Sequence, residues 1–191
     1  VEGYELTGPY SVVTPPSDTS LATWLEDAKA EIDIVDDESS NSRLMRLIRA
    51  AVKQVETDAR LVVMSQTLLY QADEFPCDQV ELRRPPISSL LHVKHYTGGV
   101  LTTLSPALYQ SDLSSNPARI RPVHGASWPC TDCRMNAVQV QFICGHATAA
   151  AVPEYLKHVI LSVVRGLWHD CDLADGYWAM IRRLRTEATI S

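Results

Sequence analysis

The residues best suited to chemistry lie between Trp128 and His146: a Cys130-x-x-Cys133 pair, then Cys144 and His146. Two thiolates two residues apart can clamp zinc tetrahedrally, and a strand running back through 138–142 could return two more ligands. The spacing departs from that of familiar zinc modules, and free or buried thiols are the plainer account. Any metal held by Cys130, Cys133, Cys144 and His146 would be structural. A redox role for the pair fits less well, because no helix start follows to depress the first thiol's pKa. Five cysteines are an odd number without a disulfide-scaffold spacing in a chain of 191 residues, which points to reduced thiols.

Other titratable clusters read as structural. His169-Asp170-Cys171-Asp172 falls where a helix should end, and a histidine there faces the negative end of the helix dipole. His92 and His95 lie an odd number of residues apart on an expected strand, so they occupy opposite faces and cannot act as a pair. His124 precedes Gly125 in an expected loop. The chain holds no Gly-x-Ser-x-Gly elbow, no His-Glu-x-x-His helix and no phosphate-binding glycine loop. No catalytic residue and no cofactor is therefore expected.

The elements that would position these groups follow from periodicity. Residues 1–22, rich in Thr, Ser, Pro and Gly, read as an arm or edge strand. Thr23-Trp24-Leu25-Glu26 has capping-box form, and Leu25, Ala28 and Ile32 give a short helix its apolar stripe, ending near Asp33. Asp36-Asp37-Glu38 and Ser39-Ser40 supply capping groups to a longer helix on which Leu44, Ile48, Ala51, Val52, Val55 and Ala59 recur at helical spacing. Its basic residues Arg43, Arg46, Arg49 and Lys53 form either a solvated face or a contact between subunits, where arginine is enriched. From Leu61 the pattern turns to short strands: Leu61–Met64, Thr67–Tyr70, Val80–Leu82 and Leu90–Tyr96, then Val100–Leu104, Leu108–Gln110 and Arg119–Arg121. Gly98-Gly99 should close a hairpin, because glycine tolerates the positive φ that a tight reversal needs. Val138, Val140 and Phe142 alternate with Gln139 and Gln141, giving a last strand with one buried face. Pro153 suits the first turn of a helix carrying Leu156, Val159, Ile160, Val163, Val164 and Leu167. A final amphipathic segment from Asp175 is too short to be stable alone and needs a partner.

The pattern predicts an α+β fold: a helical core of three to four helices, 23–60 and 152–191, carrying an antiparallel β-module at 61–151, with 1–22 as an arm. At 46% apolar and 21% charged residues the composition is that of a folded protein. Arg165 interrupts the longest apolar run, Val159 to Trp168, and Val1 to Pro16 lacks the regions of a signal peptide, so no membrane span and folding in the cytoplasm are expected. The formal charge of −6 argues against a general nucleic-acid binder but suits a protein past which DNA must slide.

Several strings, in order, resemble the head-tail connector (adaptor or head-completion) proteins of tailed phages. They are Thr14-Pro15-Pro16, Leu25-Glu26-Asp27-Ala28-Lys29, Leu47-Ile48-Arg49-Ala50-Ala51 leading to Val55-Glu56, then Gln66 and Phe75-Pro76. They continue through Glu81-Leu82-Arg83-Arg84-Pro85-Pro86-Ile87, Val93-Lys94-His95-Tyr96, Ser127-Trp128-Pro129, Ala137-Val138-Gln139-Val140 and Val152-Pro153. The sequence departs from that family at Asp58-Ala59-Arg60, where a Thr-Gly-Arg helix ending is usual, and at Cys144-Gly145-His146, where an aromatic usually follows the glycine.

The resemblance implies a virion protein of the neck, forming a ring of about twelve copies below the portal. Such a ring would extend the DNA channel, without binding DNA specifically, and offer a platform to the next neck or tail protein. It also implies that the C-terminal segment engages the portal, through Trp178, Ile181, Arg182, Leu184 and Arg185. Two other readings are a small zinc-stabilised binding domain and an enzyme using Cys130 or Cys133 as nucleophile.

Overall fold

The computed structural model describes residues 9–17, 21–33, 38–171 and 175–190; of 38, 39, 175 and 186–190 it describes the backbone alone. The expected caps Asp36 and Asp37 and the charged Asp172 lie outside the described residues. The chain divides into two compact units, one formed by residues 1–15 and 66–145, the other by residues 16–65 and 146–190.

The first unit is built of strands β1 (Tyr10–Thr14), β2 (Gln66–Ala72), β3 (Val80–Leu82), β4 (Ile87–Thr97), β5 (Val100–Thr103), β6 (Tyr109–Asp112), β7 (Ala118–Pro122) and β8 (Val138–Cys144). They form a five-stranded antiparallel sheet in the order β1-β2-β8-β4-β5 and a three-stranded one in the order β3-β7-β6. The alternation of β8 explains its central place. Val138, Val140, Phe142 and Cys144 are buried while Gln139, Gln141 and Ile143 are half-buried, and the strand pairs with β2 on one side and β4 on the other. Each fully buried Val or Phe side chain contributes about 1.5–3 kcal/mol relative to exposure.

The stretch expected to be an arm or edge strand supplies the edge strand β1, which pairs with β2 from Tyr10↔Tyr70 onward. Tyr10 holds it there. Its ring lies 5.6 Å from Tyr70 and 6.3 Å edge-on from Phe142, its hydroxyl accepts the Arg83 N–H at 2.9 Å, and the Arg84 guanidinium sits 5.5 Å from the ring. Burial pushes the Tyr10 phenol above its ordinary pKa, so it stays neutral in this place.

The second unit consists of α1 (Leu25–Glu31), α2 (Glu38–Ala59), α3 (Glu154–His169) and α4 (Asp175–Ile190). Leu44, Ile48, Ala51 and Val55 of α2 are fully buried with Val159, Ile160, Val163 and Val164 of α3, and Leu21, Trp24, Ala28 and Ile32 join the same core. The apolar stripe of α4 has its partner inside this unit: Tyr177, Ile181 and Leu184 are 2%, 1% and 8% exposed in that core.

Three expectations need correcting. The cap of α1 is Trp24 rather than Thr23, and no side-chain cap bond is made there; a backbone turn from Leu21, whose carbonyl accepts the Trp24 N–H, leads in instead. Leu61–Met64 is not a strand. It is a buried irregular segment that follows Arg60 in the left-handed region, held by the Glu56 carboxylate on the Val63 N–H at 2.8 Å and by a bridge from Met64 to His146. A side chain thus replaces the ladder that the apolar run suggested. Residues 61–65 and 146–151 accordingly belong to the helical unit, and residues 10–14 to the sheets.

Candidate assembly interface

Cys130 and Cys133 are exposed in the loop before β8, whereas Cys144 is buried at the end of β8 with its thiol 3.7 Å from the Gln66 carbonyl. His146 is half-buried in the other unit, its imidazole pKa lowered by desolvation. Among the described residues no three His, Cys, Asp or Glu side chains come together as metal ligands. The loop between the two thiols has a different task. Both carboxylate oxygens of Asp132 accept amides of the β4–β5 reversal, from Gly98 at 2.9 Å and Gly99 at 2.8 Å, and the Asp132 N–H donates to the Tyr96 carbonyl. Gly98 and Gly99 have φ of 60° and 79°, which turns successive N–H groups toward one acceptor. Arg134 then lies 3.8 Å over the Tyr96 ring.

The histidines divide as their spacing requires: His95 is buried and His92 half-buried on the opposite face of β4. His95 sits 6.0 Å from Phe75, which stacks on Trp128 at 4.4 Å with the rings nearly parallel. A polar cleft of about 170 Å³ on the three-stranded sheet is lined by Gln79, Gln110, Ser111, Asp112, Arg119 and Arg121. Its charges answer one another. Arg119 pairs with Asp112 at 2.7 Å, and this bond, with that from Ser114, holds the Asp112 carboxyl well below its usual pKa. The pair ties β6 to β7 at their Asp112↔Arg119 register position.

The surfaces of the helical unit carry the residues expected at contacts. Arg43 and Arg46 are exposed on α2, Arg49 and Lys53 half-buried, and the four recur every three or four residues along one face. Arg43 stacks on its own unit's Trp168, 4.3 Å from the ring centre. Arg46 and Arg49 border a shallow groove with Asn41, Ser42 and Met45. On α4 the five residues of the expected portal contact separate by burial. Ile181 and Leu184 lie in the core, where an intact helix cannot offer them to a partner. Trp178 is 50% exposed, leaning edge-on against Tyr177 at 5.1 Å, with Arg182 and Arg185 exposed beside it.

Asp58 anchors this helix to the end of α2. Its carboxylate accepts the Tyr177 hydroxyl at 2.6 Å, and its carbonyl accepts the Arg185 Nε–H at 2.6 Å. Burial, with Asp58 alongside, raises the Tyr177 pKa strongly. The Tyr155 hydroxyl donates to the Met180 carbonyl, and Arg183 lies 5.1 Å from the Tyr155 ring. Trp178 therefore stands on a braced helix.

No family model and no curated protein matches the chain. Solved structures do. A chain in the neck of an empty gene transfer agent (GTA) particle, computed with C6 symmetry, superposes with a TM-score of 0.77 at 19% identity, over 92% of this chain and 94% of that one. A chain in the virion of the native GTA particle gives 0.78 at 18%, and one in the native neck computed with C12 symmetry gives 0.73 at 20%, both with the same coverage. The fold of this chain is the fold of those chains, along almost its whole length.

Proposed function

We propose that the protein is a structural component of the neck of a phage-like particle, a head-tail connector that forms a ring between the portal and the next neck or tail protein. The observation that carries this reading is the fold shared, over 92% of the chain, with chains of GTA necks computed with C6 and C12 symmetry. The order of short sequence strings that resembles phage connectors is an independent support.

Twelve copies at −6 each carry on the order of −70 charges, and a negative lumen repels the DNA backbone and keeps the duplex mobile. The portal contact belongs to the exposed side of α4, Trp178 with Arg182 and Arg185, since tryptophan and arginine dominate binding energy at interfaces. Neighbouring copies meet along the basic face of α2, Arg46 and Arg49 in particular. The chemistry is assembly rather than catalysis. Among the described residues no helix is long and apolar enough to cross a membrane, in keeping with a protein of the particle neck.

Native mass spectrometry of the chain alone and with portal tests the reading. A closed multimer on the portal is expected, and a chain that stays monomeric and ignores portal would refute it. Metal analysis of the same sample tests the zinc-domain alternative, for which stoichiometric zinc in a monomer would speak.

A further inference from the structure

Two helices of the helical unit turn faces of opposite charge to solvent. On α2, Ser42, Arg46, Arg49 and Lys53 span about 60° of the helix circumference at about 100° per residue, across from the buried stripe of Leu44, Ile48 and Val55. The two described carboxylates of this helix are already engaged, Glu56 on the Val63 N–H and Asp58 on the Tyr177 hydroxyl. Arg46 and Arg49 edge a groove of about 440 Å³. The face of α1 is acidic and smooth. Glu26, Asp27 and Ala30 are exposed on the side away from the buried Trp24 and Ala28, with the exposed Thr23 before them and the exposed Asp33 after them. Lys29 holds Glu26 at 3.0 Å, whereas among the described residues nothing pairs with Asp27, Asp33 or Arg46. Both helices bury their inner sides in one core, so the two charged faces look away from it and do not meet within a chain.

We propose that the basic stripe of α2, from Arg46 to Lys53, receives the acidic face of α1 from the next copy, Asp27 foremost. This rests on the ring reading and names the partner of a face that reading uses. A cyclic ring repeats one contact between two different patches of the same chain, so the patches must complement each other rather than themselves. A basic and an acidic helix face do so. Copies that each carry −6 repel, and this pairing sets opposite charges at the seam between them. The lengths agree as well: the seven residues of α1 rise about 10 Å, as do the seven steps from Arg46 to Lys53. DNA is the other anion that could lie on such a stripe. Arginines from every copy would then grip the phosphates, and the duplex could not slide.

Charge reversal tests the contact, read by native mass spectrometry of the chain assembled on the portal. Arg46→Glu and Asp27→Arg should each reduce the closed ring at least tenfold, because the repulsion recurs at every seam, while the melting temperature stays that of wild type. An equimolar mixture of the two variants should restore the ring. In an alternating ring of even copy number each reversed stripe faces a reversed α1, and each native stripe faces a native one. Single variants that assemble like wild type, or a mixture that does not recover, overturn this contact alone; a wild-type chain that forms no ring overturns the ring reading with it. Should either reversal fail to fold, benzoyl-phenylalanine at Ala30 reads the same contact in the otherwise native ring. A photo-cross-link to residues 42–53 of another copy is expected, and no link, or a link to another segment or to DNA, would contradict the proposal.

Discussion

Replacing Ile181 and Trp178 in turn separates what the end of the chain does for its own fold from what it does for a partner. Ile181 is 1% exposed within the helical core, so Ile181→Ala removes fully buried methylene and methyl groups and leaves a void. Such truncations cost about 2–5 kcal/mol. For a protein of this size each kcal/mol lowers the melting temperature by about 2–4 °C, which gives a drop of roughly 4–20 °C. Trp178, half-exposed and touching Tyr177 edge-on, should cost about 1 kcal/mol or less when changed to alanine, the worth of one aromatic contact. In binding the order reverses. A tryptophan anchor contributes about 2 kcal/mol or more, so Trp178→Ala should weaken portal attachment about 30-fold or more. Differential scanning calorimetry and a portal pull-down at graded concentration read the two effects. If Ile181→Ala melted like wild type yet lost portal binding, the burial argument for α4 would be wrong.

Other perturbations probe single bonds. Tyr177→Phe removes the hydroxyl that Asp58 accepts and should cost about 1–2 kcal/mol, a bond to a charged group discounted for partial exposure. Because the folded pKa of Tyr177 is raised from 10.0, its stabilisation is fully present below pH 10 and is lost as pH rises beyond it; alkaline melts of Tyr177→Phe should show a smaller loss than those of wild type, the remainder coming from Tyr10 and the other buried phenols. Asp132→Asn keeps one of the two oxygens that bind the reversal and replaces the other with a donor, so amide exchange at Gly98 and Gly99 should speed up about tenfold while β8 stays protected, a loss of about 1.4 kcal/mol. Glu56→Ala leaves the Val63 N–H buried without its acceptor and should cost about 1–3 kcal/mol, with Glu56→Gln restoring most of it in urea melts.

What the sequence makes legible is whatever a single element decides for itself. The alternation of Val138, Val140 and Phe142 reads as a half-buried strand, the stripe from Leu44 to Ala59 as a helix, and Gly98-Gly99 as a two-residue reversal, and the structure has each of them. Illegible are outcomes set by bonds between distant residues. Leu61–Met64 looks like a strand because its side chains are apolar, yet the Glu56 carboxylate takes the Val63 amide and a single bridge to His146 stands where a ladder would run. Asp132 hides between two cysteines that attract attention as metal ligands, and its partners at Gly98 and Gly99 are more than 30 residues away. The stripe Tyr177, Ile181 and Leu184 announces a buried face but not what buries it, so a neighbour's surface and the chain's own core look alike from sequence. Burial decides for the chain's own core and leaves Trp178 half-exposed outside it.

Cryo-electron microscopy of intact particles, with the chain located by its fold in the density, tests the central claim most directly. A ring of copies at the neck is predicted, with α4 presenting Trp178 to the portal and the duplex running through an acidic lumen. Neck density that leaves no place for this fold, in particles that contain the protein, would contradict it.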